Sequence, residues 1–381
     1  MMKKFIATHK LFVILTSVLL TLIVLMIVVI SLQNNTSVAE SWTRGFGRVY
    51  LNFFGHMYEF IGFSVFETMV ATIIISVVIL LAWAFSLFGF KNIFGGINRL
   101  LIIAIAIVSV VTLYNASVGM AYKRSKMPME QYTGEIKEEE FKDLATYFVN
   151  DYNKCVSELG IDEHGELKMP YSTHQLIENL RKEYAKLTDD YYNPYTPTAK
   201  PLFSSGLFTT VSVVGVYFGP TAEANYSTYS TNIELPFYIA HEMAHGKGVM
   251  REDDAQNIAT YICLHSEDPL IRLSGYYCTN HCVTTTTKNE GLFTNQNDAN
   301  DIWNVYSPEA KKNRTYIYNH WKGKTFLSDF GEKVNDWYLK TFEQPGGVSS
   351  YSGTPSQTNE QGRVIKLSSF QNIYFIIYYN R

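Results

Sequence analysis

Between Leu11 and Leu32 the chain reads LFVILTSVLLTLIVLMIVVISL, without one charged side chain. A run of that length crosses about 30 Å of hydrocarbon as a helix. Lys3, Lys4 and Lys10 precede it as the basic head of a signal peptide would. The apolar run nevertheless exceeds the usual core of about 7–15 residues, and no small-x-small cleavage site follows, so it is predicted as an uncleaved span. Two further uncharged stretches, Thr68 to Phe90 and Leu100 to Ala121, flank the segment KNIFGGINR and predict a helical hairpin behind the first span. Residues 1–121 are therefore expected to form a three-helix transmembrane region, with spans at about 11–32, 68–90 and 100–121.

Three spans put the termini on opposite sides of a bilayer. With the N-terminus inside, Lys3, Lys4, Lys10, Lys91 and Arg99 stand on one side and Arg44, Arg48, Lys123, Arg124 and Lys126 on the other, a tie. The first span usually dominates, which predicts a multi-pass protein of the cell membrane with an extracytoplasmic C-terminal domain. Composition agrees with a membrane part joined to a soluble part. Hydrophobic residues reach 47% and charged residues only 18%, yet mean hydropathy is −0.04, so the apolar residues are segregated along the chain. A net charge of −3 excludes a polybasic nucleic-acid binder, leaving the lipid bilayer and a peptide or protein substrate as expected partners.

From Tyr122 the apolar run gives way to a juxtamembrane linker over 122–134 that contains Pro128, and a second domain is predicted over 135–381. Apolar residues at helical spacing, among them Phe141, Leu144, Ala145, Phe148 and Val149, predict helices over about 138–159 and 173–187. The β-branched stretch TTVSVVGVYF over 209–218, closed by Gly219-Pro220 and followed by EANYSTYS, predicts strands. Helices are expected again over about 256–265, 269–283 and 308–342, then a loop over 344–363 and a terminal core element over 370–379. The expected class is a mainly α-helical (α+β) domain with a small antiparallel sheet. Cys155, Cys263, Cys278 and Cys282 are too few for a disulfide scaffold and read as buried thiols.

At 241–245 stands His-Glu-Met-Ala-His, an H-E-x-x-H motif. Pro236 suits a helix start and no breaker follows before Gly246, so His241 and His245 share one face a turn apart and can hold one Zn²⁺. Glu242, beside the first ligand, is placed to act as general base on a zinc-activated water. A third protein ligand is needed. Gly246 and Gly248 allow a sharp exit from the helix, after which Glu252 is the first choice on reach, with Asp253 and Asp254 as competitors. The position a metzincin fills with its third histidine is Arg251, and the polar flanks TNIELP and GKGVMREDD place the motif outside a membrane span.

With YFGPTAEAN around Glu223, HEMAHGKG followed by REDDA, RLSGYY at Arg272 to Tyr277, and VNDWYLK with GGVSSY ending at Tyr351, the chain resembles an uncharacterised bacterial family of multi-pass membrane proteins of unknown function with gluzincin-like zinc peptidase character. The resemblance implies a zincin-like catalytic domain in which Glu252 matches the first glutamate of the E-x-x-A segment that supplies the third zinc ligand. Such segments continue with Asp or Asn, which orients a ligand imidazole. Here Gln256 stands in that place, and its amide, or that of Asn257, is the available substitute. In zinc peptidases of this type an edge strand pairs with the extended substrate, which assigns that role to the stretch from Glu223 to Ser230, with Glu223 and Asn225 as substrate-binding candidates. Tyr276, Tyr277 and Arg272 are candidate oxyanion donors, set against the blander reading of core aromatics and a surface cation. The expected function is a membrane-anchored zinc metallopeptidase with Glu242 as catalytic base. The alternative is a non-catalytic membrane-anchored binding or assembly protein whose metal is structural.

Overall fold

A computed structural model describes residues 9–89, 92–342 and 344–381. Lys3, Lys4, Lys91 and Phe90, used above, lie outside the described residues. The chain divides into two compact units, one comprising 1–125 with 218–223 and the other 126–217 with 224–381.

The first unit is helical: α1 (Lys10–Gln33), α2 (Thr36–Trp42), α3 (Arg48–Glu59), α4 (Val65–Gly89), α5 (Ile93–Tyr114) and the short α6 (Met120–Tyr122). Three stretches, Lys10–Gln33, Val65–Ser86 and Ile93–Tyr122, are long and apolar enough to cross a membrane, and most of their surface is exposed, as lipid-facing helices require. The third begins earlier than the expected position 100. Asn92 accepts the Gly95 N–H through its side chain and so caps α5 inside the segment read as a turn. Arg99 then sits within the helix, its guanidinium 3.5 Å from the centre of the Trp83 ring.

A π-helical turn over Asn115–Gly119 interrupts the third span. Such turns free backbone carbonyls from the regular ladder, and two side chains meet them: Gln33 Nε2 donates to Asn115 O at 2.8 Å and Trp42 Nε1 to Ala116 O at 2.7 Å. Nearby, Arg124 and Arg44 hold the Glu40 carboxylate at 2.8 and 2.6 Å and, against burial, draw its pKa down to about 2.

The second unit contains α7 (Phe141–Leu159), α8 (Thr173–Ala185), β1 (Ala199–Pro201), α9 (Ser205–Thr210), β2 (Gly215–Phe218), β3 (Glu223–Tyr226), α10 (Leu235–Gly246), α11 (Glu252–Leu264), α12 (Pro269–Thr279), α13 (His281–Thr284), α14 (Gln296–Val305), α15 (Pro308–Trp321), α16 (Ser328–Thr341), β4 (Gln357–Thr358), β5 (Val364–Lys366) and α17 (Ser369–Tyr379). The expected helices appear, with breaks: Asn280 divides α12 from α13, and 322–327 divides α15 from α16. The last aromatic run is a core helix with a capping box, in which Ser368 and Gln371 exchange hydrogen bonds.

The strand expectations need correction. Residues 205–210 are helical, because Ser205 Oγ ties back to Leu202 O at 2.6 Å and Ser212 takes a left-handed φ of 61°, so only Gly215–Phe218 extends. The sheet order is β1-β3-β2, and β1 pairs with β3 in parallel, Ala199 opposite Ala224 and Pro201 opposite Tyr226. The sheet is thus not purely antiparallel, and an antiparallel pair occurs instead between β4 and β5. β3 is central, between the edge strands β1 and β2, so the stretch from Glu223 is not an edge strand.

One large core fills this unit, with Phe148 of α7 fully buried and its ring 4.7 Å from Tyr374 and 5.9 Å from Tyr276. All four cysteines are free, and Cys155, Cys263 and Cys282 are buried. Truncating Phe148 to Ala removes an aromatic side chain from the middle of this core and should lower unfolding free energy by about 3–5 kcal/mol. Chemical denaturation of the detergent-solubilised chain checks this, and a loss below about 1 kcal/mol would show a core able to collapse around the gap.

Candidate metal centre

The site rests on two helices joined by a tight turn. α10 is held by Ser274 Oγ, which accepts the Phe237 N–H at 2.9 Å, and by the Tyr184 hydroxyl, which donates to Ala240 O. Gly246 ends the helix where Pro197 packs so closely that a Cβ would collide with its ring. Gly248, at φ 86°, turns the chain through a conformation that side chains disfavour, and α11 starts at Glu252.

That turn brings Glu252 back over α10. Its Oε2 lies 3.1 Å from His241 Nε2 and 3.6 Å from His245 Nε2, and all three side chains are buried. Ligands about 2.0–2.1 Å from a tetrahedral cation stand roughly 3.3–3.4 Å from one another. The observed separations bracket that figure. Among the described residues, His241, His245 and Glu252 are the group of three able to hold a metal ion. The orienting contacts point the same way: His245 Nδ1 donates to Val249 O at 2.8 Å, which leaves Nε2 as its ligand atom. His241 Nδ1 is buried without a partner, as is Oε1 of Gln256, one helical turn beyond Glu252.

The competing acids are engaged elsewhere. Asp253 pairs with Arg251 at 3.1 Å and Lys126 at 3.4 Å, whereas Asp254 accepts the Met127 N–H at 3.1 Å. Burial and the neighbouring Asp253 push the Asp254 carboxyl up to about 6. Glu252 is the acid that the fold brings to the two histidines.

Glu242 is buried beside them, and burial pushes its carboxyl up to about 7 against the pull of the His241 and His245 imidazoles. The Tyr217 N–H of edge strand β2 donates to it. A Cβ at Gly215 would collide with Glu242 Oε1, so only glycine lets this strand approach. Val214 O accepts from Ser227 N and Val216 O from Asn225 Nδ2, on the β3 side. By alternation, the peptide groups of Gly215 and Tyr217 face away from β3, toward Glu242.

A residue not picked out in the sequence for this role completes the centre. Tyr351, in a short 3₁₀ turn over Gly347–Ser352, has its ring 5.8 Å from that of His241. Asp336 accepts the Val348 N–H at 3.3 Å and steadies the turn, and Asn335 Nδ2 donates to Tyr351 Oη at 3.4 Å. Burial and the Glu252 and Glu242 carboxylates keep the phenol well above its ordinary pKa, and therefore protonated and able to donate. A tyrosine 99 positions beyond Glu252 carries no spacing signal.

The other sequence candidates serve different ends. Glu223 accepts N–H groups of Val65 at 3.2 Å and Phe66 at 2.8 Å and the Thr221 hydroxyl at 2.8 Å, so its carboxylate caps α4. Asn225 ties β2 to its neighbour. Tyr276 Oη and Arg272 Nε both bond Asp151, at 2.8 and 2.9 Å, in a network between α12 and α7, and Tyr277 lies against Arg314. None of these is brought to the triad by a described contact.

Although burial disfavours the imidazolium, the Glu252 carboxylate raises the His245 pKa to about 9 in the metal-free centre, and the imidazoles hold Glu252 well below the usual carboxylate range despite its burial. The His245 contribution to stability is complete below its ordinary 6.5 and lost as pH rises through about 9. That of Glu252 is complete above its ordinary 4.5 and lost only in strong acid. The pair therefore stabilises the metal-free fold fully between pH 4.5 and 6.5. Glu252→Gln should return the His245 titration from about 9 toward 6.5, read by NMR of the imidazole, and an unmoved titration would assign the shift to another group.

The profile of a family described as a protein of unknown function, DUF3810, matches residues 42–356. No curated protein and no solved structure matches the chain.

Proposed function

The chain belongs to the DUF3810 family, whose matched residues include two of its three candidate membrane-spanning helices, and we propose that it is a membrane-anchored zinc metallopeptidase. The observation that carries the reading is the buried His241–His245–Glu252 constellation, at separations suited to one tetrahedral cation, with a second carboxylate beside it. Two imidazoles and one carboxylate make the donor set of a catalytic zinc, which keeps an open position, rather than of a closed structural one. Zinc held there would supply a Lewis acid for a carbonyl and for water.

The remaining chemistry belongs to the chain. Glu242 takes a proton from the attacking water and returns it to the departing amine. The protonated Tyr351 hydroxyl donates to the oxygen that becomes negative as the carbonyl is attacked. The outward peptide groups of Gly215 and Tyr217 offer an edge to which an extended peptide adds as a further strand. A spanning region, whose lipid contact follows from its apolar helices, keeps this centre tethered to a bilayer. The extracytoplasmic side remains the side favoured by the first span.

In the detergent-solubilised full chain, wild type should carry one zinc per molecule by elemental analysis, and His241→Ala should lose it. Glu242→Gln should keep zinc but cut cleavage of an unfolded-peptide library by about 10²–10⁴-fold. Tyr351→Phe should keep zinc and lower kcat by about 10²–10³-fold. Zinc retained in His241→Ala would overturn the ligand set. Zinc bound with equal turnover in wild type and Glu242→Gln would overturn the mechanism, and zinc without turnover in any form would favour the binding or assembly protein.

A further inference from the structure

Away from the metal centre, α13, the loop after it and α14 enclose a cavity of about 250 Å³, and α15 contributes Arg314 to its lining. The guanidinium is surrounded by rings, with centroids of Tyr277 and Tyr306 at 5.3 Å, Trp303 at 5.8 Å and Tyr152 at 5.9 Å. Ring faces offset part of the cost of desolvating a cation. They do not accept its N–H groups as an oxygen does, and Arg314 Nη1 is buried without a hydrogen-bond partner. No carboxylate pairs with this arginine among the described residues, whereas Arg272 has Asp151 and Arg124 has Glu40.

The rest of the lining is rich in groups able to donate. Asn300 Oδ1 accepts from Gln296 Nε2 at 3.0 Å, which leaves the Asn300 Nδ2 uncommitted. The Thr286 hydroxyl and the Asn289 amide also line the cavity. A single cation at the wall favours a monoanion over a doubly charged one, and a planar guanidinium matches a planar carboxylate. Trp303 and Tyr306 give the same space two aromatic walls.

We propose that this cavity is a second binding site, for a small monocarboxylate with a compact apolar or aromatic body, whose carboxylate pairs with Arg314. The carboxylate meets the part of the guanidinium that lines the cavity, while the enclosed Nη1 stays among the rings, and the ligand's body stacks on Trp303 and Tyr306. The site uses none of the residues of the metal centre, so its occupancy is measurable whether or not the chain hydrolyses peptides.

The test uses the full chain in detergent, titrated with sodium benzoate, with inorganic phosphate and with chloride at matched ionic strength, following Tm and tryptophan fluorescence. Benzoate should raise Tm saturably in wild type, beyond the chloride control and at lower concentration than phosphate. Arg314→Lys, which keeps the charge but not the fork, should bind benzoate at least about tenfold more weakly. Asn300→Trp, at an exposed rim position where folding should survive, should fill the cavity and abolish the shift. No saturable benzoate effect in the wild type would overturn the proposal, as would equal affinity in wild type and Asn300→Trp. Tighter binding of phosphate than of benzoate would overturn the assignment to carboxylates.

Discussion

Everything at the candidate metal centre depends on one carboxylate being returned to two imidazoles across a turn. Glu252 is buried, and a buried carboxylate without a counter-charge is expensive enough to unfold a helix terminus. The turn after Gly246 makes the return possible: Pro197 closes over a residue that has no side chain, and Gly248 reverses the backbone where a Cβ would resist. Glu252 then opens α11, where its charge also complements the helix N-terminus. The two helices are thereby locked in register by the same contacts that set the ligand spacing.

Around that lock, three separate parts of the sequence meet Glu242 and His241. β2 arrives as an edge strand through Gly215 and donates the Tyr217 N–H, α10 carries the acid itself, and the turn after α16 delivers Tyr351. Each is fixed by a contact away from the triad: Val216 O by Asn225, Phe237 N by Ser274, Val348 N by Asp336. Contacts outside the triad hold each part in place, which is the condition for a preorganised centre.

What the sequence disclosed follows from how local each feature is. The apolar spans, the helical face that pairs His241 with His245, and the return of an acid within a dozen residues are set by spacing along one or two helices, and they were readable. Start of the third span was misplaced because Asn92 caps it inside a segment that looks like a turn. The β-branched run before Gly215 suggested one long strand, yet Ser212 breaks it, and strand order was inaccessible because β1 lies far upstream and pairs with β3 in parallel. Tyr351 and the capping role of Glu223 are tertiary events between distant segments, with no periodicity to announce them.

Charge balance distinguishes the two polar sites of the second unit. With neutral imidazoles the candidate metal centre carries the two acids Glu242 and Glu252, a balance that favours positive charge. A proton can supply that charge: against burial, the Glu252 carboxylate raises His245 to about 9, whereas it is mainly burial that lifts Glu242 to about 7. A divalent cation bound there would replace protons, and its affinity would rise as pH rises toward those values. Around Arg314 the imbalance has the opposite sign: a permanent cation with no carboxylate beside it among the described residues, and aromatic faces that soften its burial. A proton cannot correct that deficit, because removing one from a guanidinium is out of reach in a protein. An anion can, and this difference in charge separates the proposed cation site from the proposed anion site.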